Sequence, residues 1–341
     1  MDFNINISKL MELKRLKDQN SNFHNNIEMS DEEYNNWINR YPELSAQLDE
    51  ISKKHKFEQK VLLIGAVIVL GLFFLRIPAI VKIIGVIILV IASIIWFKKT
   101  GKIMEKELSE SETNNPRVLI KTIAKQILEE KFDNLEFETD YHMSRKELFD
   151  TFPFFYKFDY VKTEDYVSFE YNGMQFAQLD IEGYDRQRND STTENNYKGR
   201  IIEIESKRKI DGQVLIKDKH QEISKIKGLK AIKTEDEEFN SMFKCYTDSP
   251  QDTFYVLTPR MIENIKQFKS KCLGSVVFYF SDDTIIISID DKRNTFSVNA
   301  LFKNVSKKQI LSEIIYDTNI ISDTAEDLKI FKDYDLKESG I

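Results

Sequence analysis

Two uninterrupted apolar runs lie close together in a chain that is otherwise polar. Val61–Leu75 reads VLLIGAVIVLGLFFL and Ile83–Phe97 reads IIGVIILVIASIIWF, neither with a charge. As one helix, the 37 residues from Val61 to Phe97 would measure about 55 Å, against a hydrocarbon core of about 30 Å. Pro78 removes an amide donor and disfavours helix at Ile77, which divides the stretch in two. The pattern therefore predicts a two-helix transmembrane hairpin over residues 59–98. Arg76 and Lys82 flank the turn, where long cationic side chains reach headgroups, and mark one interface. Lys53, Lys54, Lys56 and Lys60 precede the first helix; Lys98, Lys99, Lys102 and Lys106 follow the second, with Trp96 at aromatic-belt depth. Lysines crowding the outer flanks predict that both ends of the hairpin, and so both termini, are cytoplasmic. A hairpin buried in a large soluble body, or one span with a re-entrant partner, would fit the same runs. The chain, however, shows no surface apolar enough to bury such helices in water.

Residues 1–58 read as a helical cytosolic segment. Ser30-Asp-Glu-Glu33 has the form of a capping box. Tyr34, Trp37, Ile38, Tyr41, Leu44, Leu48 and Ile51 recur at helical spacing, interrupted at Pro42. Such a stripe packs intramolecularly more often than it meets a partner. After a polar linker, Asn115-Pro116 starts a helix over 116–131, and Ser144-Arg-Lys-Glu147 opens a shorter one that Pro153 ends. The period then changes to two. Tyr166–Tyr171 and Met174–Ile181 form a hairpin around Asn172-Gly173. Asp185–Lys198, rich in Asn, Asp, Ser and Thr, is expected as a long exposed loop. Further along, hairpins are expected for 200–206 with 213–217, around Asp211-Gly212, and for 275–280 with 284–289. Helices are expected over 236–243, 259–269 and 307–316, and a strand over 252–257. The fold class is thus α+β: an N-terminal helical segment, the hairpin, a cytosolic domain of antiparallel sheet plus helices over 114–300, and a C-terminal helix with a loosely ordered tail over 301–341.

The 341-residue chain has 24 Phe, 14 Tyr and 41% hydrophobic residues, enough to build a core. Its net charge of −7 resides mainly in the part after the apolar runs, which argues against nucleic acid as a partner. Cys245 and Cys272 form no CxxC pair and are expected as free buried thiols. His24, His55, His142 and His220 lie far apart in polar surroundings, so no metal site is expected. No phosphate-binding glycine loop, nucleophile elbow or HExxH motif occurs, and no cofactor is expected. Asp282-Asp283 and Asp290-Asp291 read as hairpin-turn and strand-end residues, not as a catalytic carboxylate pair.

One ordered set of short motifs resembles a known group. Phe239-Asn-Ser-Met-Phe243-Lys-Cys-Tyr246-Thr-Asp248 is followed by Phe254-Tyr-Val-Leu257-Thr258-Pro259 and Met261-Ile262. Before them come Phe152-Pro to Phe158-Asp159, Gly173-Met-Gln-Phe176 and Gly199-Arg-Ile-Ile202. Together, over roughly 114–291, they resemble the DUF3137 family of uncharacterised bacterial membrane proteins. The resemblance implies an N-terminal helical segment, two spans, a cytosolic α+β domain and a bacterial cell membrane location. It carries over no catalytic residue, and the polar stretch Asp185–Lys198 departs from its pattern.

The combined expectation is a membrane-anchored binding or scaffold protein, a cytosolic module displayed on a two-span anchor and engaging a protein partner or a second copy of itself. The alternative is an enzyme at the membrane surface, motivated only by Tyr246, Asp248 and Thr258 at strand and helix ends.

Overall fold

In a computed structural model, residues 27–53 apart from 44 and 50, 116–186, 193–297 apart from 220 and 222, and 306–327 are described. They divide between two compact units, Met1–Ala124 with Phe296–Ile315 and Lys125–Thr295 with Tyr316–Ile341.

In the first unit, helix α1 (Asp31–Arg40) begins as its sequence dictates. The Ser30 hydroxyl accepts from the Glu33 amide, and the Glu33 carboxylate accepts from the Ser30 amide at 2.7 Å, so the capping box is closed in both directions. The helix ends at Tyr41, before Pro42. Downstream, Leu48 and Ile51 are fully buried, as are Ile310 and Leu311. Lys307 meets Asp49 at 2.7 Å, and Lys308 meets Asp31 at 2.8 Å and Glu28 at 3.3 Å. Of the apolar stripe, Leu48 and Ile51 are buried, whereas Tyr34, Trp37, Ile38 and Tyr41 are only partly buried and α1 itself holds no buried residue.

The second unit is built on a seven-stranded antiparallel sheet. Helix α2 (Pro116–Glu129) leads into β1 (Asp133–Glu138), α3 (Arg145–Thr151), β2 (Tyr160–Tyr171), β3 (Met174–Arg186) and β4 (Thr193–Asp218). Then follow β5 (Lys230–Ile232), α4 (Glu237–Met242), β6 (Phe243–Thr247), α5 (Pro250–Val256), α6 (Pro259–Lys271), β7 (Ser275–Asp290) and α7 (Lys307–Asp327). The β2–β3 hairpin is the one expected, with Tyr171 opposite Met174 and both Asn172 and Gly173 at positive φ, the requirement of a type I′ turn. Thr163, Asp165, Val167 and Phe169 alternate inward along β2, the period of two expected of a sheet with one covered face.

The two later hairpins are replaced by something different. β4 and β7 are single long strands that pair with each other, from Arg200↔Ile289 to Lys217↔Val277. Their turn signals lie at the same height, with Ile210 opposite Asp282 and Gln213 opposite Ser281, and the register shifts there. Gly212 and Asp282 have positive φ. A straight strand of 16 residues would span about 50 Å, yet a carbon placed on Gly274 would overlap the carbonyl oxygen of Asp290. The two ends of β7 therefore touch. Two coincident turn signals bend a two-stranded ribbon back on itself instead of closing two hairpins. Along one edge of β4, β3 pairs with residues 193–204 and β6 with residues 214–218, so each half of the ribbon carries its own wing. One apolar cluster joins residues of both halves: Leu179, Ile181 and Ile201 with Leu215, Val277 and Tyr279, closed by Leu148, Phe154 and Phe155.

Other expectations are corrected. Within the stretch 185–198, residues 193–198 belong to β4, and Tyr197, paired with Gly183, is buried. Residues 252–257 form the end of helix α5 and its exit, not a strand; Thr253, Val256 and Leu257 turn inward at helical spacing. The last helix runs to Asp327, not 316. It is opened by Ser306 and Gln309, which bond reciprocally at 3.1 and 3.0 Å, and no Gly or Pro interrupts it.

The expected fold class is itself corrected. The α+β domain with an antiparallel sheet is present, but among the described residues no helix is long and apolar enough to cross a membrane. α2 has 14 residues, too short for a span, and the 21-residue α7 is interrupted by charges. The transmembrane hairpin was placed on residues 59–98, which lie outside the described residues.

Candidate functional site

Where the folded ribbon closes, charged side chains gather out of water. Gly199 and Arg200 lie towards the start of the β4–β7 ladder; a carbon on Gly199 would overlap the Ile289 carbonyl oxygen, so glycine is what allows the strands to approach. Arg200 sits directly opposite Asp180 of β3 and Ile289 of β7. Asp291 follows β7, Arg293 lies two residues later, and Asp317 comes from α7. Arg200 Nη2 is 2.8 Å from Asp317 and 3.4 Å from Asp291, and Arg293 Nη1 is 3.2 Å from Asp317. The Arg200, Asp291 and Asp317 side chains are each 1% exposed. Asp180 accepts from the Thr295 amide at 2.5 Å and from its hydroxyl. The Tyr197 hydroxyl meets Ser288 Oγ at 2.9 Å and donates to the Arg200 carbonyl at 3.1 Å.

Neighbouring groups tighten the same closure. Asp218, at the end of β4, pairs with Lys269 at 2.8 Å and accepts from the Val276 amide at 2.7 Å. The Tyr316 hydroxyl accepts from the Leu273 amide at 3.3 Å, and Arg293 lies over the Tyr316 ring. Lys271 meets Asp323 at 3.0 Å.

Burial dominates the electrostatics. Desolvation pushes the Asp180 carboxyl well up, although the Arg200 guanidinium opposes it. Asp291 is also held above the usual carboxylate range by burial, against the pull of Arg200 and Arg293. For Arg200, burial acts against the charge, but Asp317, Asp291 and Asp180 outweigh it and hold the guanidinium firmly protonated. Cys272, within the same field, is pushed to about 12 by burial, as is Cys245. Both are free thiols. Neither is a nucleophile at neutral pH, because the thiolate is the reactive form. The arrangement can hold charges, close strands and anchor α7; it offers no activated base or nucleophile.

The residues singled out from sequence are dispersed. Lys53 is exposed in the first unit; Lys54, Lys56, Lys60, Arg76, Lys82, Trp96, Lys98, Lys99 and Lys102 lie outside the described residues. The trio Tyr246, Asp248 and Thr258 is taken up by structure. Asp248 accepts from the Gln213 amide at 2.8 Å, Thr258 caps α6 through the Met261 amide, and Tyr246 packs against the apolar cluster. His142 is exposed, and the other three histidines lie outside the described residues. Among the described residues no group of His, Cys, Asp and Glu is placed to hold a metal. Asp282 and Asp283 are exposed at the bend, whereas Asp291 is a buried partner of Arg200. Sequence reasoning missed the centre. Its one local signal was an arginine set among isoleucines in an inward-facing strand, which demands a buried partner.

A second feature lies on the surface. Phe254 is 74% exposed and Tyr255 68% exposed, consecutive aromatics on α5. The opposite face of that short helix is buried through Thr253, Val256 and Leu257. Side chains of this size left in water are candidates for contact with another molecule.

Comparison with known proteins follows the same segment. A family model described as a protein of unknown function (DUF3137) matches residues 195–330. That span holds Arg200, Asp291, Arg293, Asp317 and the aromatic pair; Asp180 precedes it. No curated protein matches the chain. The crystal structure of the mycobacterial trehalose monomycolate transport factor A, TtfA, aligns with a TM-score of 0.38 at 8% identity, over 62% of this chain and 93% of that one.

Proposed function

We propose that this chain, which carries the DUF3137 signature through residues 195–330, acts as a binding or scaffold module and not as an enzyme. The observation that carries the reading is the exposed pair Phe254 and Tyr255 on a helix whose other face is fixed to the body. Aromatic side chains bring large contact area at low entropic cost, which is why they concentrate at protein interfaces. Their rigid mounting favours a preformed contact surface, and the partner is taken to be a protein. The candidate chemical groups support the same reading from the other side, because they are engaged in backbone contacts, against the apolar cluster or in the buried charge centre.

The test places a photo-crosslinking residue at position 255 in the full chain in cells. The expected result is a discrete adduct that the Phe254→Ala change abolishes while the folded yield stays the same. A chain that gives no adduct at 255, and whose Phe254→Ala/Tyr255→Ala double variant rescues every defect caused by deleting the gene, would refute the reading.

A further inference from the structure

Not all the hydrogen-bonding capacity around Arg200 is met by the protein. Gln178 and Asp180 are two apart on β3 and share a face; their partners on β4 are Ile202 and Arg200. Gln178 is thus the diagonal neighbour of Arg200, a separation that long side chains bridge. Asp165, at the irregularity of β2 where φ is positive, lies beside them close enough to oppose ionisation of Asp180. None of these four residues is more than 2% exposed. Among the described residues, Arg200 Nε and Nη1 and both amide atoms of Gln178, Nε2 and Oε1, lack a hydrogen-bond partner.

We infer that Gln178 and Arg200 share an internal hydration site, in which ordered water accepts from the guanidinium and bridges to the Gln178 amide. A buried amide or guanidinium edge left unmade is costly, and native interiors resolve such groups with water that makes about three hydrogen bonds. The surrounding charges decide the kind of guest. Asp291 and Asp317 already meet the two guanidinium groups, Arg200 and Arg293, with Asp180 and Asp165 close by, so no positive charge is left over to call for an anion. The unmet groups on Arg200 are donors that cannot ligate a cation. A small neutral molecule that both donates and accepts remains, and water is that molecule. The site makes the row of strands β2, β3 and β4 continuous with the charge centre that receives α7.

Two measurements on the full chain test this. Water-selective nuclear Overhauser spectroscopy is expected to give a cross-peak between the Gln178 side-chain amide protons and long-resident water. Gln178→Met keeps the length and removes the amide; it is expected to lower the folding equilibrium constant by about tenfold, since it strands the guanidinium donors and their water. An amide protected from exchange but silent to water, or a Gln178→Met chain with a raised unfolding midpoint, would show a dry unsatisfied pair and overturn the inference.

Discussion

Among the described residues, Asp317 is the one anion that both buried arginines approach within 3.2 Å, and removing it should loosen the C-terminal half of α7 more than any other single change in that helix. In Asp317→Ala, Arg200 and Arg293 lose their shortest carboxylate contact and still face Asp291, at 3.4 and 4.0 Å. Two unit charges about 4 Å apart contribute about 4 kcal/mol at an effective dielectric of 20. Two such contacts are lost, but the cost of burying Asp317 itself is recovered. Measured losses for breaking a buried pair, about 3–5 kcal/mol, are the appropriate scale. That is a large share of the roughly 5–15 kcal/mol that stabilises a typical domain. Urea denaturation followed by far-ultraviolet circular dichroism would read the loss, and hydrogen exchange would place it in residues 316–327. A companion variant, Arg200→Met with Asp317→Leu, replaces the pair by apolar groups and should recover most of the stability, because no lone charge is then left buried. A loss below about 1 kcal/mol in Asp317→Ala, or a companion variant no better than the single change, would refute the assignment of the centre as a closure that depends on charge balance.

Further outcomes follow from the same geometry. Asp180 has its carboxyl pushed up from 3.8 by burial, so its contribution is fully present below about pH 4 and is lost as pH rises through the folded-state value. Asp180→Asn, fixed in the neutral form, should gain stability relative to the unmodified chain as pH is raised from 4 to 7; urea midpoints that stay parallel across this range would contradict it. With both thiols pushed to about 12, only about one in a hundred thousand is ionised at pH 7. Cys245 and Cys272 should therefore resist a disulfide reagent in the folded chain and react together once it is unfolded; prompt labelling of either would count against the packing described. Gly199→Ala must displace the Ile289 backbone; strand pairing should weaken, by about 1–3 kcal/mol on the scale of overpacked cores, and a variant with an unchanged unfolding midpoint would show that β4 and β7 do not pair there.

Much of the local structure was legible from residues near one another in the chain. The box at Ser30 and Glu33, the Asp236 and Thr258 caps and the Asn172-Gly173 turn each depend on contacts within three residues or on the φ that a residue tolerates. α5 escaped because its inward residues, Thr253, Val256 and Leu257, are few and β-branched or apolar, a composition that suits a strand as well. Its helical form follows from Pro250 at its start and from hydroxyl contacts at Thr247, Ser249 and Thr253 that short-range propensity does not weigh.

Sequence alone determined where the chain can bend and which residues seek the interior: Asp211-Gly212 and Asp282-Asp283 are turn formers, and the isoleucines around them are strand formers whatever they pair with. Tertiary structure alone decided what those bends accomplish. A turn signal reports a low cost of reversing the backbone, but says nothing about which edge the flanking strands will satisfy; here the two bends coincide because β4 and β7 bond to each other along their length. The same holds for the charges. Arg200 and Asp317 are 117 residues apart, and neither carries any local mark of the other. A buried charge requires only that some counter-charge reach it out of water, and it was the folding of the ribbon and the docking of the helix that supplied Asp317.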